Sequence, residues 1–150
     1  TGLANRRKCE EYMKELETHT EKYCILCFDL NLLKKINDTY GHEKGDELIK
    51  RFADVLREVY SLYGITARTG GDEFVTILNN VSVQETEKLI SDMLILIETK
   101  NKEEDILKLS TAYGYAMSDE VADSNPHIIY KLADDRMYEY KKKSKMGRND

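Results

Sequence analysis

The sequence has no run close to the roughly 18 consecutive apolar residues that cross a bilayer. Its longer apolar stretches, such as Met93-Leu94-Ile95-Leu96-Ile97, are of core-helix length. It has no basic excess either. Lys plus Arg number 23 against 28 Asp plus Glu, and the net charge of −5 argues against a protein that coats nucleic acid. A single proline, no repeat and no low-complexity linker interrupt the 150 residues, so one domain is expected. The three cysteines, Cys9, Cys24 and Cys27, cannot complete a disulfide set. Cys24 and Cys27 form a CxxC with no second pair beside it, in an apolar, strand-like run. Residues three apart on a strand face opposite sides, so reduced core thiols in a cytoplasmic setting are expected. No secretory signal is visible, because charge arrives at once with Arg6, Arg7 and Lys8. The chain opens on Thr1 and not Met, and is read as a domain cut from a longer parent, which could itself be membrane-anchored. The histidines His19, His42 and His127 are scattered, and no Ser/His/Asp or Cys/His set is apparent.

What is present is a soluble globular composition, 41% hydrophobic and 34% charged. Cys9, Tyr12, Met13 and Leu16 recur at helical spacing and predict an amphipathic helix to about Thr18. The apolar run from Tyr23 to Phe28 predicts a buried central strand that stops at Asp29. A short helix is predicted from Leu32 to Thr39, then a turn at Tyr40-Gly41-His42. A longer helix from Asp46 carries Leu48, Ile49, Phe52, Val55, Leu56, Val59 and Tyr60 on one face and ends before Gly64. Strands at Ile65–Arg68 and Phe74–Leu78 flank Gly70-Gly71 as a hairpin. Ser82-Val83-Gln84-Glu85 is a capping box ahead of a helix through Leu89 to Ile97. Leu107 to Met117 reads as a strand, and Asn125-Pro126 opens a last helix. This order, α-β-α-α-β-β-α-β-α, predicts an α+β fold, a mostly antiparallel sheet covered by helices.

Acidic residues stand where strands end. Asp29 follows the buried strand, and Asp72 and Glu73 follow the Gly-Gly turn. Two glycines allow positive φ and keep side chains out of the turn, so a phosphate or metal could approach the backbone. If the strands are neighbours, the carboxylates converge and call for a cation. Hard oxygen donors favour Mg²⁺ or Mn²⁺, the equipment of phosphoryl and nucleotidyl transfer. Taken alone, Asp72-Glu73 could be a solvated turn pair and Asp46 a plain helix N-cap.

The joint pattern goes further. Arg68-Thr69-Gly70-Gly71-Asp72-Glu73-Phe74 carries a Gly-Gly-Asp-Glu-Phe signature. Thr1-Gly2-Leu3-Ala4-Asn5-Arg6-Arg7, the stretch Phe28 to His42 with Gly45-Asp46, and Ala133-Asp134-Asp135-Arg136-Met137-Tyr138 with Lys141 accompany it in order. Together they resemble the GGDEF family, the bacterial diguanylate cyclases of signal transduction, which condense two GTP into cyclic di-GMP. The resemblance implies a nucleotidyl-cyclase palm with a ferredoxin-like core and the signature hairpin at its active edge. It implies metal ligation by Asp29, Asp72 and the Leu30 carbonyl, with Glu73 a further ligand or electrostatic partner. Asp72 is the candidate for accepting the proton of the attacking hydroxyl. Asn37 and Asp46 would read guanine, whose N1–H and amine together suit a carboxylate acceptor. Lys34 and Lys141 would bind the triphosphate, as would backbone N–H groups of Leu32 and Leu33. Gly70 and Gly71 would let the hairpin lie against the nucleotide.

The same resemblance implies catalysis only in a homodimer, each copy holding one GTP, under an upstream sensory or receiver domain of the parent chain. No contact of this domain with nucleic acid or membrane is expected. A non-catalytic GTP-binding regulatory module is the alternative. Two departures from the family pattern, Asn31 and Leu33, remove a charge and an aromatic ring. The inhibitory Arg-x-x-Asp is absent, its place being taken by Ser61-Leu62-Tyr63-Gly64. A second basic phosphate contact is left open between Lys145 and Arg148.

Overall fold

The computed structural model describes residues 1–18 and 21–146, apart from the side chains of 145 and 146. His19 and Arg148 lie outside the described residues, as does the side chain of Lys145. The elements are α1 (Arg6–Leu16), β1 (Tyr23–Leu30), α2 (Leu33–Tyr40), α3 (His42–Tyr60), β2 (Gly64–Arg68) and β3 (Glu73–Asn79). They continue with α4 (Val83–Asn101), β4 (Thr111–Met117), a 3₁₀ turn over Ser118–Glu120 and α5 (Pro126–Met146). The four strands form one sheet in the order β2-β3-β1-β4, with every pair antiparallel. This is the α+β architecture expected from the order of elements.

Every residue of β1 is buried, because helices cover both faces of the sheet. Alternation then sorts the strand. Cys24, Leu26, Phe28 and Leu30 join α3 and α4 in one core, whereas Tyr23, Ile25 and Cys27 join α1 and α5 in the other. The two cysteines of the CxxC therefore sit in different cores, both reduced. Burial pushes the Cys24 thiol up to about 12, which keeps it inert.

Phe28 and Phe74 are register partners on β1 and β3. Phe52 of α3 packs edge-on against both rings, at centroid distances of 6.0 and 5.1 Å. Each fully buried ring contributes about 1.5–3 kcal/mol. This aromatic knot lies one residue from Asp29 and Glu73, which are themselves paired across the two strands. The strand ends that carry the acidic residues are thus fixed by the core.

Boundaries differ from expectation in instructive places. β1 runs one residue past Asp29, because Leu30 still pairs with Thr111. The strand expected from Leu107 starts only at Thr111. The Asn101 side chain donates to the Leu109 carbonyl (2.8 Å) and accepts from its N–H (2.7 Å), so Leu109 is bound to the end of α4 and not to a neighbouring strand. α3 begins at His42 and not Asp46, after Gly41 turns the chain at φ 92°. Asp46 therefore stands a turn inside the helix and is not its cap. α1 ends at Leu16, two residues early. Gly70 and Gly71 do not use the positive φ open to them; the hairpin loop is long enough to close without it. The two caps behave as predicted. Ser82 and Glu85 form the reciprocal box, and Asn125 Oδ1 accepts from the His127 N–H at 2.9 Å.

Candidate active site

Asp29 faces the α5 side of the sheet near the end of β1, where its side chain is only 10% exposed. Such a charge needs compensation, and α5 supplies it. Lys141 Nζ donates to Asp29 Oδ2 at 2.6 Å. The other oxygen, Asp29 Oδ1, is buried without a hydrogen-bond partner. Asp72, on the hairpin loop, lies within side-chain hydrogen-bond reach of Asp29. Burial and then the Asp29 charge hold the Asp72 carboxyl above the usual range, with Lys141 opposing. The Lys141 ammonium is held above its ordinary value by its bond to Asp29, with Asp72 and Glu73 adding to it.

The loop backbone completes this rim. The Leu30 N–H donates to the Asp72 carbonyl at 2.8 Å, which ties the signature loop to β1. The Thr69 and Gly70 N–H groups both donate to the Glu73 carbonyl. Glu73 Oε2 lies 3.0 Å from where a Cβ on Gly70 would sit, a close approach that the exposed Glu73 side chain can relieve by a small shift. A Cβ on Gly71 would meet nothing within 4 Å, leaving open space beside Asp72. Among the described residues no group of three or more His, Cys, Asp or Glu side chains is gathered for a metal. The cation candidate is therefore a two-carboxylate one. An orphaned buried oxygen and two like charges in contact fit a divalent ion with hard oxygen donors.

The remaining predicted residues lie on α2 and α3. Leu32, at φ 70°, turns the chain off β1. α2 then opens at Leu33 with no side-chain cap, leaving first-turn N–H groups for an anion. Lys34 is exposed on that first turn. Asn37 packs onto α3 so closely that a Cβ on Gly45 would lie 1.7 Å from its Oδ1. That Oδ1 is buried without a partner, and Asp46, the neighbour of Gly45, is exposed. Asn37 and Asp46 are thus brought together by the α2–α3 contact. Asn31, where the family pattern often has Asp, donates from Nδ2 to Ser110 Oγ at 3.0 Å.

Sequence reasoning gave no role to Arg68 or Gly45. Gly45 gave no signal of its own, because it precedes the apolar stripe that begins after Asp46 and its close approach to Asn37 is a tertiary contact.

Comparison with known proteins agrees with this fold. The family model described as "Diguanylate cyclase, GGDEF domain" matches residues 1–147. The chain is 33% identical to the probable diguanylate cyclase DgcT of Escherichia coli (strain K12) over 131 residues, 85% of this chain and 28% of that protein. It is 28% identical to an uncharacterized membrane protein of Staphylococcus aureus (strain USA300), over 99% of this chain and 43% of that one. It is also similar to the isolated GGDEF domain of TpbB (YfiN) from Pseudomonas aeruginosa. There the TM-score is 0.82 with 27% identity, covering 95% of this chain and 87% of that structure. The chain belongs to the GGDEF-domain family of diguanylate cyclases. It spans less than half the length of the two curated relatives.

Proposed function

We propose that this domain is a diguanylate cyclase that condenses two GTP into cyclic di-GMP and two pyrophosphates. The observation that carries the reading is the buried Asp29 carboxylate, its Oδ2 on Lys141 and its Oδ1 unpartnered, beside Asp72 of the β2–β3 loop at one rim. Asp29, Asp72 and the Leu30 carbonyl would hold Mg²⁺ or Mn²⁺, with Glu73 able to join them. Such an ion supplies charge neutralisation at the phosphate oxygens.

The chain's own groups do the rest. The 3′-hydroxyl of one GTP attacks the α-phosphorus of the other in line, the P–O bond to pyrophosphate breaks, and a second such step closes the ring. Asp72, a carboxyl held above its ordinary pKa, is suited to accept the hydroxyl proton. Lys141 and Lys34 place positive charge on the triphosphate, and the uncapped N–H groups at Leu32 and Leu33 bind its oxygens. The Asn37 amide bonds the guanine acceptors, and Asp46 accepts from N1–H and the exocyclic amine. Adenine cannot offer that pair of donors. The open space at Gly71 admits the nucleotide to the loop.

One domain holds one GTP, so two copies must face each other with C₂ symmetry. Control then belongs to whatever sets that geometry in the parent chain, a sensory or receiver segment by this reading. Among the described residues no helix is long and apolar enough to cross a membrane. The 61–64 segment that replaces the inhibitory motif carries no charge, and Leu62 is 92% exposed there, so product inhibition through it is not expected.

The test is a forced dimer incubated with GTP and Mg²⁺ and read by mass spectrometry. Cyclic di-GMP with pyrophosphate is expected, and Asp72→Ala should abolish both. Tight GTP binding without product in a proven dimer would replace this reading with a regulatory nucleotide-binding module.

A further inference from the structure

The loop between β2 and β3 has an unusual hydrogen-bond arrangement. With no residue at positive φ, it does not close on itself in the manner of a tight two-residue hairpin. Its carbonyls from Gly70 to Glu73 are satisfied from three directions. The Glu73 carbonyl accepts the N–H groups of Thr69 and Gly70, and the Asp72 carbonyl accepts from Leu30 of β1. The two glycine carbonyls are taken by one side chain. Arg68 Nε lies 3.1 Å from the Gly70 oxygen and 3.1 Å from the Gly71 oxygen, and Arg68 Nη2 lies 2.8 Å from the Gly71 oxygen. Arg68 is in turn fixed at its backbone, where its N–H donates to the Ala4 carbonyl at 2.9 Å.

We propose that Arg68 is a positioning residue for Asp72. Its guanidinium fork grips the two glycine carbonyls and sets the path of the loop that delivers the Asp72 carboxylate to Asp29. Gly70 and Gly71 are the freest pair of residues in the segment, and no side chain of theirs packs against anything. Without a clamp the loop would sample many paths, and Asp72 would reach Asp29 in only some of them. A planar fork suits two adjacent carbonyls, whereas a point charge can follow only one of them well. The Ala4 contact makes the clamp continuous with the N-terminal segment, whose Ala4 also bridges to Ala67 of β2.

This inference rests on the cyclase reading for its kinetic arm but not for its structural arm. The experiment compares wild type, Arg68→Ala and Arg68→Lys as forced dimers. Amide hydrogen exchange is measured without nucleotide, and steady-state kinetics with GTP and Mg²⁺. Arg68→Ala is expected to speed exchange at residues 69–72 and at the Leu30 amide, which reports the Asp72 carbonyl, while Thr76 and Ile77 stay protected. Turnover should fall about 10- to 100-fold with KM for GTP little changed, since the loss is of orientation and not of binding. Arg68→Lys should recover part of both. Unchanged exchange at 69–72 and Leu30 in Arg68→Ala overturns the proposal. So does a raised KM with unchanged exchange, which would make Arg68 a substrate contact. If the wild-type dimer yields no product, the cyclase reading fails, and the exchange data still decide whether Arg68 holds the loop.

Discussion

Asp72→Asn should stabilise the metal-free domain while stopping turnover. In the folded chain the Asp72 carboxyl lies beside Asp29, and burial and that neighbouring charge both raise its pKa. The unfolded chain returns it to about 3.9. Between those values the native state holds more protons than the unfolded one, so stability falls as pH rises through the window. The penalty is largest once both carboxyls are ionised. Two unit charges about 4 Å apart repel by about 4 kcal/mol at an effective dielectric near 20. Lys141 cancels part of this, and Asp72 is half-exposed, so screening removes more. A net gain of about 1 kcal/mol for the amide remains, or roughly 2–4 °C in Tm at this chain length. Thermal unfolding followed by circular dichroism, with divalent ions chelated, measures it. The difference should shrink as pH falls into the acid range. Added Mg²⁺ or Mn²⁺ should raise the Tm of wild type more than that of the variant. If the variant is no more stable near neutral pH, and metal raises both equally, the two carboxylates do not share one field and the proposed site is wrong.

Lys141→Met leaves Asp29 buried without its ion partner, and should cost about 2 kcal/mol in urea unfolding as well as weakening GTP binding. Gly45→Ala drives a methyl into Asn37 Oδ1 and displaces that side chain; titration calorimetry should show GTP affinity lowered about tenfold with the fold retained. Gly114→Ala sets a Cβ 2.2 Å from the Met137 backbone nitrogen and 2.6 Å from the Ala133 carbonyl. It should push α5 off β4, lowering stability by about 1–3 kcal/mol and displacing Lys141 from Asp29, which hydrogen exchange along α5 would register.

Much of this site was legible because its residues are also structural punctuation. Asp29 ends a run of apolar residues, and Gly70-Gly71 breaks one periodicity before the next begins. The order of elements and both helix caps could be read for the same reason. What escaped the sequence depends on contacts across long separations. The start of β4 is set by the Asn101 amide holding Leu109, which no local pattern encodes. The first turn of α3, His42 to Gly45, carries no apolar stripe, so the helix could be read only from Asp46. The loop glycines leave positive φ unused, and Gly71 instead leaves open space beside Asp72. Arg68 was visible as a letter of the signature, but its task depends on where its guanidinium folds, which spacing does not encode.

The ion pair between Lys141 and Asp29 joins residues 112 positions apart. The two carboxylates come together once β1 and β3 pair, yet the ammonium that offsets them arrives only when the last helix docks. Wherever α5 is undocked the rim is uncompensated, and clustered negative charge opposes its closing. Docking of α5 relieves that opposition, so the rim and the packing of α5 stand or fall together.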